Sequence, residues 1–280
     1  MRIGLVTCRV LPEPDPDAAI LDAGLRERGH EPVEIAWDGD GSLDGVAALV
    51  LRSCWNYHER PGAFLGWIER AARGRRLINP PQVVRWNIHK SYLLALEAGG
   101  TPIVPTALIE RGGATPALAA AIVNRFGDVV IKPAIGAGSA GTRRFGREEH
   151  GAAADYLTRL AGRGDTLVQP YLDGFRAPGE RSLIWIDGEW THAVCKRPRF
   201  DDQEESVCGA TPPTREELAV AQRALDLAPG PVFYARADLV ADDGGRVALS
   251  ELELIEPSLY FEFGPGALER FAALVDGLSA

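Results

Sequence analysis

Residues 129–145, VVIKPAIGAGSAGTRRF, lead an apolar run into a lysine, a proline and then six residues of nearly bare backbone. Gly136, Gly138 and Gly141 have the G-x-G-x-x-G spacing, but TRRFG follows them, ends on another glycine and reads as extended. Helix signals resume only at Glu148. A dinucleotide-binding turn needs its glycines to open a helix whose N-terminus faces the pyrophosphate, so that fingerprint lacks its helix. A Walker loop fails as well, because Thr142 and Arg143 stand where Lys and Ser/Thr are required. What remains is strand, glycine hairpin, strand, with Lys132 closing the first strand. On the loop alone this is either a flexible hairpin turn or a flap whose N–H groups close over a polyphosphate, glycine being needed where backbone approaches a ligand closely.

The first 80 residues alternate strand and helix signals. RIGLVT (2–7) reads as a buried strand. DPDAAILDAGLRERG has helical spacing with Asp15 or Asp17 as cap and Gly29 as stop, and PVEIAW and VAALVLR read as strands. This βαβ pattern predicts a parallel sheet. SCWNYHERP then forms a polar-aromatic loop at the carboxyl end of a strand, where open α/β sheets place ligands. A helix over 62–73 and the turn NPP at 79–81 follow, and the first boundary is drawn there. Beyond it the spacing predicts one helix over NIHKSYLLALEAGG, an extended TPIVPT, a helix over 116–126 and the strand DVVIK. TLVQPYL, RSLIWI, EWTHAVCK, VFYARADLV and VALSELELIE read as strands, with a helix near 215–227 among them, which points to an antiparallel α+β unit. The stretch 196–214 lacks structural signals and is expected to be an active-site loop.

At 280 residues the chain has room for about two ordinary domains. With 46% hydrophobic and 25% charged residues it has the composition of a globular protein. No run approaches the roughly 20 apolar residues of a membrane span and the N-terminus does not read as a signal peptide, so the expected location is the cytoplasm. Cys8, Cys54, Cys195 and Cys208 form no C-x-x-C pair and read as free thiols. The net charge of −9 argues against nucleic acid as the main partner and leaves room for small anionic ligands.

HKSYLL, VVIKP, GAGSAG, LVQPYL, GERSLIWIDGE, RADLV and ELELIEPS occur in the order found in the ATP-grasp superfamily of carboxylate–amine ligases, and the resemblance covers about residues 86–262. TCRVLPEPD and LRSCWNY further resemble a bacterial branch that includes O-ureidoserine cyclo-ligase, a ring-closing enzyme of cycloserine synthesis. The resemblance implies a Rossmann-like α/β domain over 1–85, a first ATP-grasp lobe with the flap over 86–170, and a second lobe with a metal site over 171–280. It implies ATP with Mg²⁺, as two ions that Mn²⁺ can replace, a small amino-acid-like substrate, and no nucleic acid or membrane partner in a monomer or homodimer.

Alternation in ALSELELIEPS sends Glu251 and Glu253 to one face of a strand, close enough to share cations. Like charges that near repel without a metal or a lysine. Asp238 on a partner strand could add a third hard oxygen suited to Mg²⁺, and a solvated acidic face is the other reading. Many relatives have asparagine where Glu253 stands. Lys132 ends an apolar strand, where an unpaired ammonium is costly to bury. By resemblance, Lys90, Lys132, Gly136, Gly138, Ser139 and Gly141 hold the nucleotide. Gln169, where many members have glutamate, and the backbone of Pro170, Tyr171 and Leu172 would read adenine, with Glu180 on the ribose. Lys196, followed by Arg197, would meet the γ-phosphate and the acyl phosphate formed from it. Arg52, Trp55 and Tyr57 are either substrate contacts or core, Glu256 and Ser258 face metal or substrate, and His192 reads as a packed strand residue rather than a base. Two other classes compete: an ATP-binding regulatory module without turnover, and a Rossmann NAD(P) oxidoreductase, which requires a helix starting at Gly141.

Overall fold

The computed structural model describes residues 1–197, 206–209 and 211–278. β1 (Arg2–Thr7), α1 (Ala18–Glu27), β2 (Glu31–Ala36), β3 (Val46–Leu51), α2 (Pro61–Ala71) and β4 (Arg76–Ile78) build a four-stranded sheet in the order β2-β1-β3-β4, with every pair parallel. Both faces are covered, which is why β1 and β3 are almost continuously apolar. Ile3, Leu5, Ala48 and Val50 pack toward α1 and the C-terminal helix, while Val6, Leu49 and Leu51 pack with Phe64 and Ile68 of α2.

α3 (Pro81–Asn87), α4 (Tyr92–Ala98), β5 (Ala107–Ile109), α5 (Pro116–Phe126), β6 (Val129–Pro133), β7 (Arg143–Phe145), α6 (His150–Ala161) and β8 (Thr166–Pro170) follow, and their strands form an antiparallel sheet in the order β5-β8-β6-β7. α5 begins where Thr115 accepts the Leu118 N–H at 3.2 Å and ends at Gly127, whose φ of 79° no side chain favours. The third sheet is antiparallel: β9 (Glu180–Ile186), β10 (Glu189–Arg197), β11 (Ser206–Gly209), β12 (Tyr234–Ala241) and β13 (Val247–Glu253), ordered β11-β10-β9-β12-β13, with α7 (Arg215–Asp226) on β12 and β13 and α8 (Ala267–Gly277) last. Among the described residues no helix is long and apolar enough to cross a membrane.

Several expectations change. The helix expected over NIHKSYLLALEAGG begins only at Tyr92, after α3 ends at Asn87, because Asn87 turns its amide onto β13, donating to the Leu252 carbonyl and accepting the Leu254 N–H, while the Lys90 N–H donates to the Ala134 carbonyl. NPP is not only a turn, since Pro81 starts α3 as a first-turn proline. Asp17 precedes α1 but does not cap it. Its carboxylate instead accepts the N–H groups of Leu259, Tyr260 and Phe261 and pairs with Arg52. The stretch 196–214 contains β11, paired in register with β10, while residues 198–205 and 210 of the expected loop lie outside the described residues. Gly141 leads into a strand rather than a helix, so the oxidoreductase reading has no helix for its pyrophosphate.

Packing also crosses the divisions expected at 85 and 170. Val83, Tyr92, Leu93 and Leu96 of α3 and α4 share a core with Leu183, Leu239, Leu249 and Leu252 of the third sheet. Phe271, Leu274 and Val275 of α8 share one with Ile3, Leu21 and Leu25 of the first unit. Fully buried Asn79 joins the two: its amide donates to the carbonyls of Tyr234 and Leu254 at 2.8 Å and accepts the Phe233 N–H at 2.7 Å. Asn79→Ala would leave these groups buried without partners, at a cost of about 3 kcal/mol. Thermal unfolding should show Tm lowered by roughly 5–10 °C, and an unchanged Tm would mean the clip is redundant.

Candidate active site

Between the three sheets lies a cavity of about 730 Å³. Its floor is the face of β9, β10, β12 and β13 that carries charge. Period-two alternation places Arg236 and Asp238 on one side of β12, with Glu251 and Glu253 of β13 opposite them, Asp238 facing Glu251 and Arg236 facing Glu253. Arg236 and Asp238 are buried, Glu251 and Glu253 are half-buried, and each is tied to an opposite charge.

Asp238 is the most heavily bonded. One oxygen accepts from Ser182 Oγ at 2.6 Å and Arg236 Nε at 2.9 Å, and the other from Lys196 Nζ and Arg236 Nη2, both at 2.9 Å. Burial opposes its charge, but Arg236 and Lys196 outweigh burial and hold its pKa below the ordinary range. Asp238, expected as a metal ligand, thus has both oxygens occupied and serves to hold two cations in place. Lys196 also reaches Glu180 at 3.0 Å, and Glu180 accepts from Ser250 Oγ at 2.5 Å. Burial pushes Glu180 above its usual value, Lys196 opposing and Asp238 adding.

Lys90 Nζ lies 2.5 Å from Glu251 and Lys132 Nζ lies 3.7 Å from it. Burial works against the Glu251 charge, but Lys90 and then Lys132 bring its pKa down to about 2. Burial and the neighbouring Lys90 charge keep Lys132 below an ordinary lysine, against the pull of Glu251. Glu253 differs. It pairs with Arg236, whose charge is already shared with Asp238, so burial prevails and, with Asp238 and Glu251 near, raises it to about 7. Burial, then Glu253, holds Glu256 well above the glutamate range.

The flap roofs the cavity through Gly136, Gly138 and Ser139. Its root is fixed by the Gly136 carbonyl, which accepts from Lys90 Nζ at 3.1 Å and Tyr57 Oη at 3.5 Å. Gly138 and Ser139 turn through φ of 56° and 59°, which the glycine accepts without strain. Gly141 stands off the cavity, its carbonyl held by Tyr156 Oη at 2.8 Å. Gln169 and Pro170 border the far end; Gln169 donates its amide to Thr106. Tyr171 and Leu172 do not line the cavity. The Tyr171 N–H is donated to the Asp128 carbonyl at 2.8 Å, and Leu172 packs with Val104 and Val240. On the near side Trp55, Tyr57, Glu256 and Ser258 face the cavity. Arg52 does not: it is buried against Asp15 and Asp17 and donates to the Pro257 carbonyl at 2.9 Å, a strut rather than a substrate contact. Arg197 is exposed and off the cavity. His192 is buried with Nε2 3.2 Å from the Tyr260 carbonyl.

Sequence reasoning missed Arg236, although it precedes Asp238 by two residues and so shares its face. It also missed Ser182 and Ser250, which carry no sequence signal, and the rim residues Arg9, Asp38 and Arg60, which belong to the first unit.

Among the described residues no three acidic, histidine or cysteine side chains form a cage for a bare ion. Mg²⁺ delivered with phosphates needs only one or two protein carboxylates, and Glu251 and Glu253, both bordering the cavity, match that donor set.

Residues 3–79 match the family model described as the N-terminal domain of the D-cycloserine synthetase DcsG. Over 297 aligned residues the chain is 31% identical to the cycloserine biosynthesis protein DcsG of Streptomyces lavendulae, covering 96% of each. This chain belongs to the DcsG family of ATP-grasp ligases. The crystal structure of D-cycloserine synthetase DcsG superposes on it with a TM-score of 0.89 at 30% identity, covering 99% of this chain and 100% of that one. The fold extends to the ATP-grasp ligase PsnB, solved with a precursor variant, Mg and ADP, with a TM-score of 0.66 at 21% identity over 99% of this chain and 98% of PsnB. As a DcsG-family enzyme the chain is an ATP-dependent ligase.

Glu253 makes a prediction with a definite sign. Its folded value of about 7 lies above the ordinary 4.5, so the folded chain binds the extra proton between these values. The stability this contributes is complete below the unfolded pKa and is lost as pH rises through the folded one. Between about pH 4.5 and about pH 7, Tm of the wild type should fall relative to that of Glu253→Gln, and above that range the difference should level off. Because a cation displaces that proton, the Tm rise produced by Mg²⁺ with ATP should grow over the same interval in the wild type and not in the variant. Parallel profiles would mean that Glu253 neither titrates there nor meets the cation.

Proposed function

We propose that this ligase phosphorylates the carboxylate of a small amino-acid-like molecule and closes the resulting acyl phosphate onto a nitrogen of the same molecule, releasing ADP and phosphate. The supporting observation is the convergence on one cavity of two lysines, a glycine roof, paired carboxylates and Lys196. The direction toward ring closure comes from the likeness to a cycloserine synthetase along nearly the whole chain.

In this reading Gln169, Pro170 and Glu180 border the nucleoside. Lys90 and Lys132, now paired with Glu251, turn to the phosphates when the nucleotide enters, and Gly136, Gly138 and Ser139 cover them with backbone N–H groups. Glu251 and Glu253 would hold Mg²⁺, which when bound supplies positive charge to the transferring phosphoryl group. Lys196 and Arg236, oriented by Asp238, stabilise the charge that develops as the substrate carboxylate attacks the γ-phosphorus and ADP leaves. The nitrogen then adds to the carbonyl carbon, and collapse of the tetrahedral species expels phosphate. No enzyme nucleophile is needed. The closed roof keeps water from the acyl phosphate.

Screening ADP release against amino acids and their ureido and aminooxy derivatives, with mass analysis of products, should yield a cyclic product with one of the derivatives. A product joining two molecules would replace ring closure by ligation, and ATP raising Tm without ADP release from any compound would leave a binding module. Lys196→Ala should lower kcat by about 100-fold or more while ATP still raises Tm. Wild-type turnover in that variant would remove Lys196 from the chemistry.

A further inference from the structure

The ladder between β6 and β7 ends at Ile131 opposite Arg143, so the flap beyond it has to be positioned by other bonds. Its two limbs are held differently. On the first, the Gly136 carbonyl accepts from Lys90 Nζ and Tyr57 Oη, but Lys90 is one of the two lysines that the phosphates would draw away. On the second, the peptide unit between Gly141 and Thr142 is held at both ends. Tyr156 Oη, on α6, donates to the Gly141 carbonyl at 2.8 Å, and the Thr142 N–H donates to the Ser139 carbonyl at 2.9 Å. Neither bond uses a lysine or an N–H of Gly136, Gly138 or Ser139, so both persist when the nucleotide enters.

Both ends of this chain of bonds are fixed. The Tyr156 ring has the guanidinium groups of Arg143 and Arg159 at 5.3 and 5.1 Å from its centroid and tilts against Phe145, a buried member of the core under α5 and α6. A ring packed in this way gives up little further freedom when its hydroxyl binds the flap. At the far end Ser139 turns through φ of 59°, a left-handed conformation that a side chain disfavours and that the bond from the Thr142 N–H offsets. Because the same peptide unit accepts from Tyr156 and donates to Ser139, each bond polarises the other.

We propose that Tyr156 is a positioning residue for the ligase reaction: through the peptide between Gly141 and Thr142 it holds Ser139 in its turn, aims the Ser139 N–H at the phosphates and keeps the roof shut over the acyl phosphate. This rests on the ligase reading. Without the hydroxyl the second limb is released and water reaches the acyl carbon. The water oxygen bonds to that carbon, the bond to the phosphate oxygen breaks with its electron pair leaving on phosphate, and the two protons pass to phosphate and solvent. The substrate carboxylate is regenerated, so each such event converts one ATP to ADP and phosphate with no ring formed.

Tyr156→Phe removes the hydroxyl and keeps the ring. With ATP and Mg²⁺ alone, amide exchange over residues 136–141 should be about 3- to 10-fold faster in the variant, and Kd for ATP should rise by a similar factor, as expected for the loss of one neutral hydrogen bond. With O-ureidoserine, the wild type should release ADP and cyclic product in near-equal amounts, whereas the variant should release about two ADP or more per ring, with KM for ATP raised. A merely structural role would lower Tm without moving that ratio. A Phe variant with the wild-type ratio and the wild-type KM for ATP overturns the assignment, whatever its exchange rate. If the wild type releases no ADP from any ureido or aminooxy compound, the ligase reading falls. The flap measurement then decides separately: faster exchange in the variant supports the positioning of the flap on the nucleotide, and unchanged exchange overturns it.

Discussion

A carboxylate or ammonium can stay charged inside a protein only if an opposite charge or several donors replace its water. The third sheet is arranged around that requirement. Asp238, 2% exposed, is satisfied by four donors from β9, β10 and β12, and through it Arg236 and Lys196 are held at fixed positions on the cavity floor. Each cation so held is available to a phosphate or carboxylate without having to be reoriented. The same network accounts for the unequal states of the acids. Lys90 and Lys132 keep Glu251 ionised, whereas Glu253 shares an arginine that Asp238 already uses and rises to about 7.

The second requirement is that the first unit be held against this floor, since it supplies one wall of the cavity. Buried polar side chains do this. The Tyr234 hydroxyl lies 3.0 Å from the carbonyls of Leu51, Ile78 and Ile255, at the carboxyl ends of β3 and β4 and just after β13. Asp17 gathers the N–H groups of Leu259, Tyr260 and Phe261, and Arg52 ties Asp17 to Pro257. These bonds fix the segment 256–261 that carries Glu256 and Ser258, so that this part of the cavity wall is shaped by residues from both ends of the chain.

Much of this was legible without coordinates. The parallel first sheet follows from continuous apolar strands alternating with amphipathic helices, and the antiparallel sheets from strands with few helices between them. The glycine hairpin could be told from a dinucleotide turn because no helix follows Gly141. Lys90, Lys132, Lys196, Glu251 and Glu253 were found through their motifs and meet in one cavity. The errors have a common cause. Asn87, Asp17 and Arg52 are polar residues whose partners lie 165, 242 and 205 positions away in the chain, and local pattern reads such residues as helix start, cap and substrate contact. Tyr171 and Leu172 were assigned by motif position, yet the Tyr171 N–H is already used by Asp128.

The sequence by itself determined which residues alternate, which strands are apolar on both faces and where the chain lacks side chains, because these depend on the backbone periods of 2 and 3.6 and on steric freedom at glycine. Only the tertiary structure decided the state of each charge: that Asp238 organises cations, that Glu253 is weakly compensated, and that Glu256 has no partner among the described residues. Charge state depends on burial and on every neighbour within a few ångströms, and those neighbours come from strands and helices that no local window of sequence brings together.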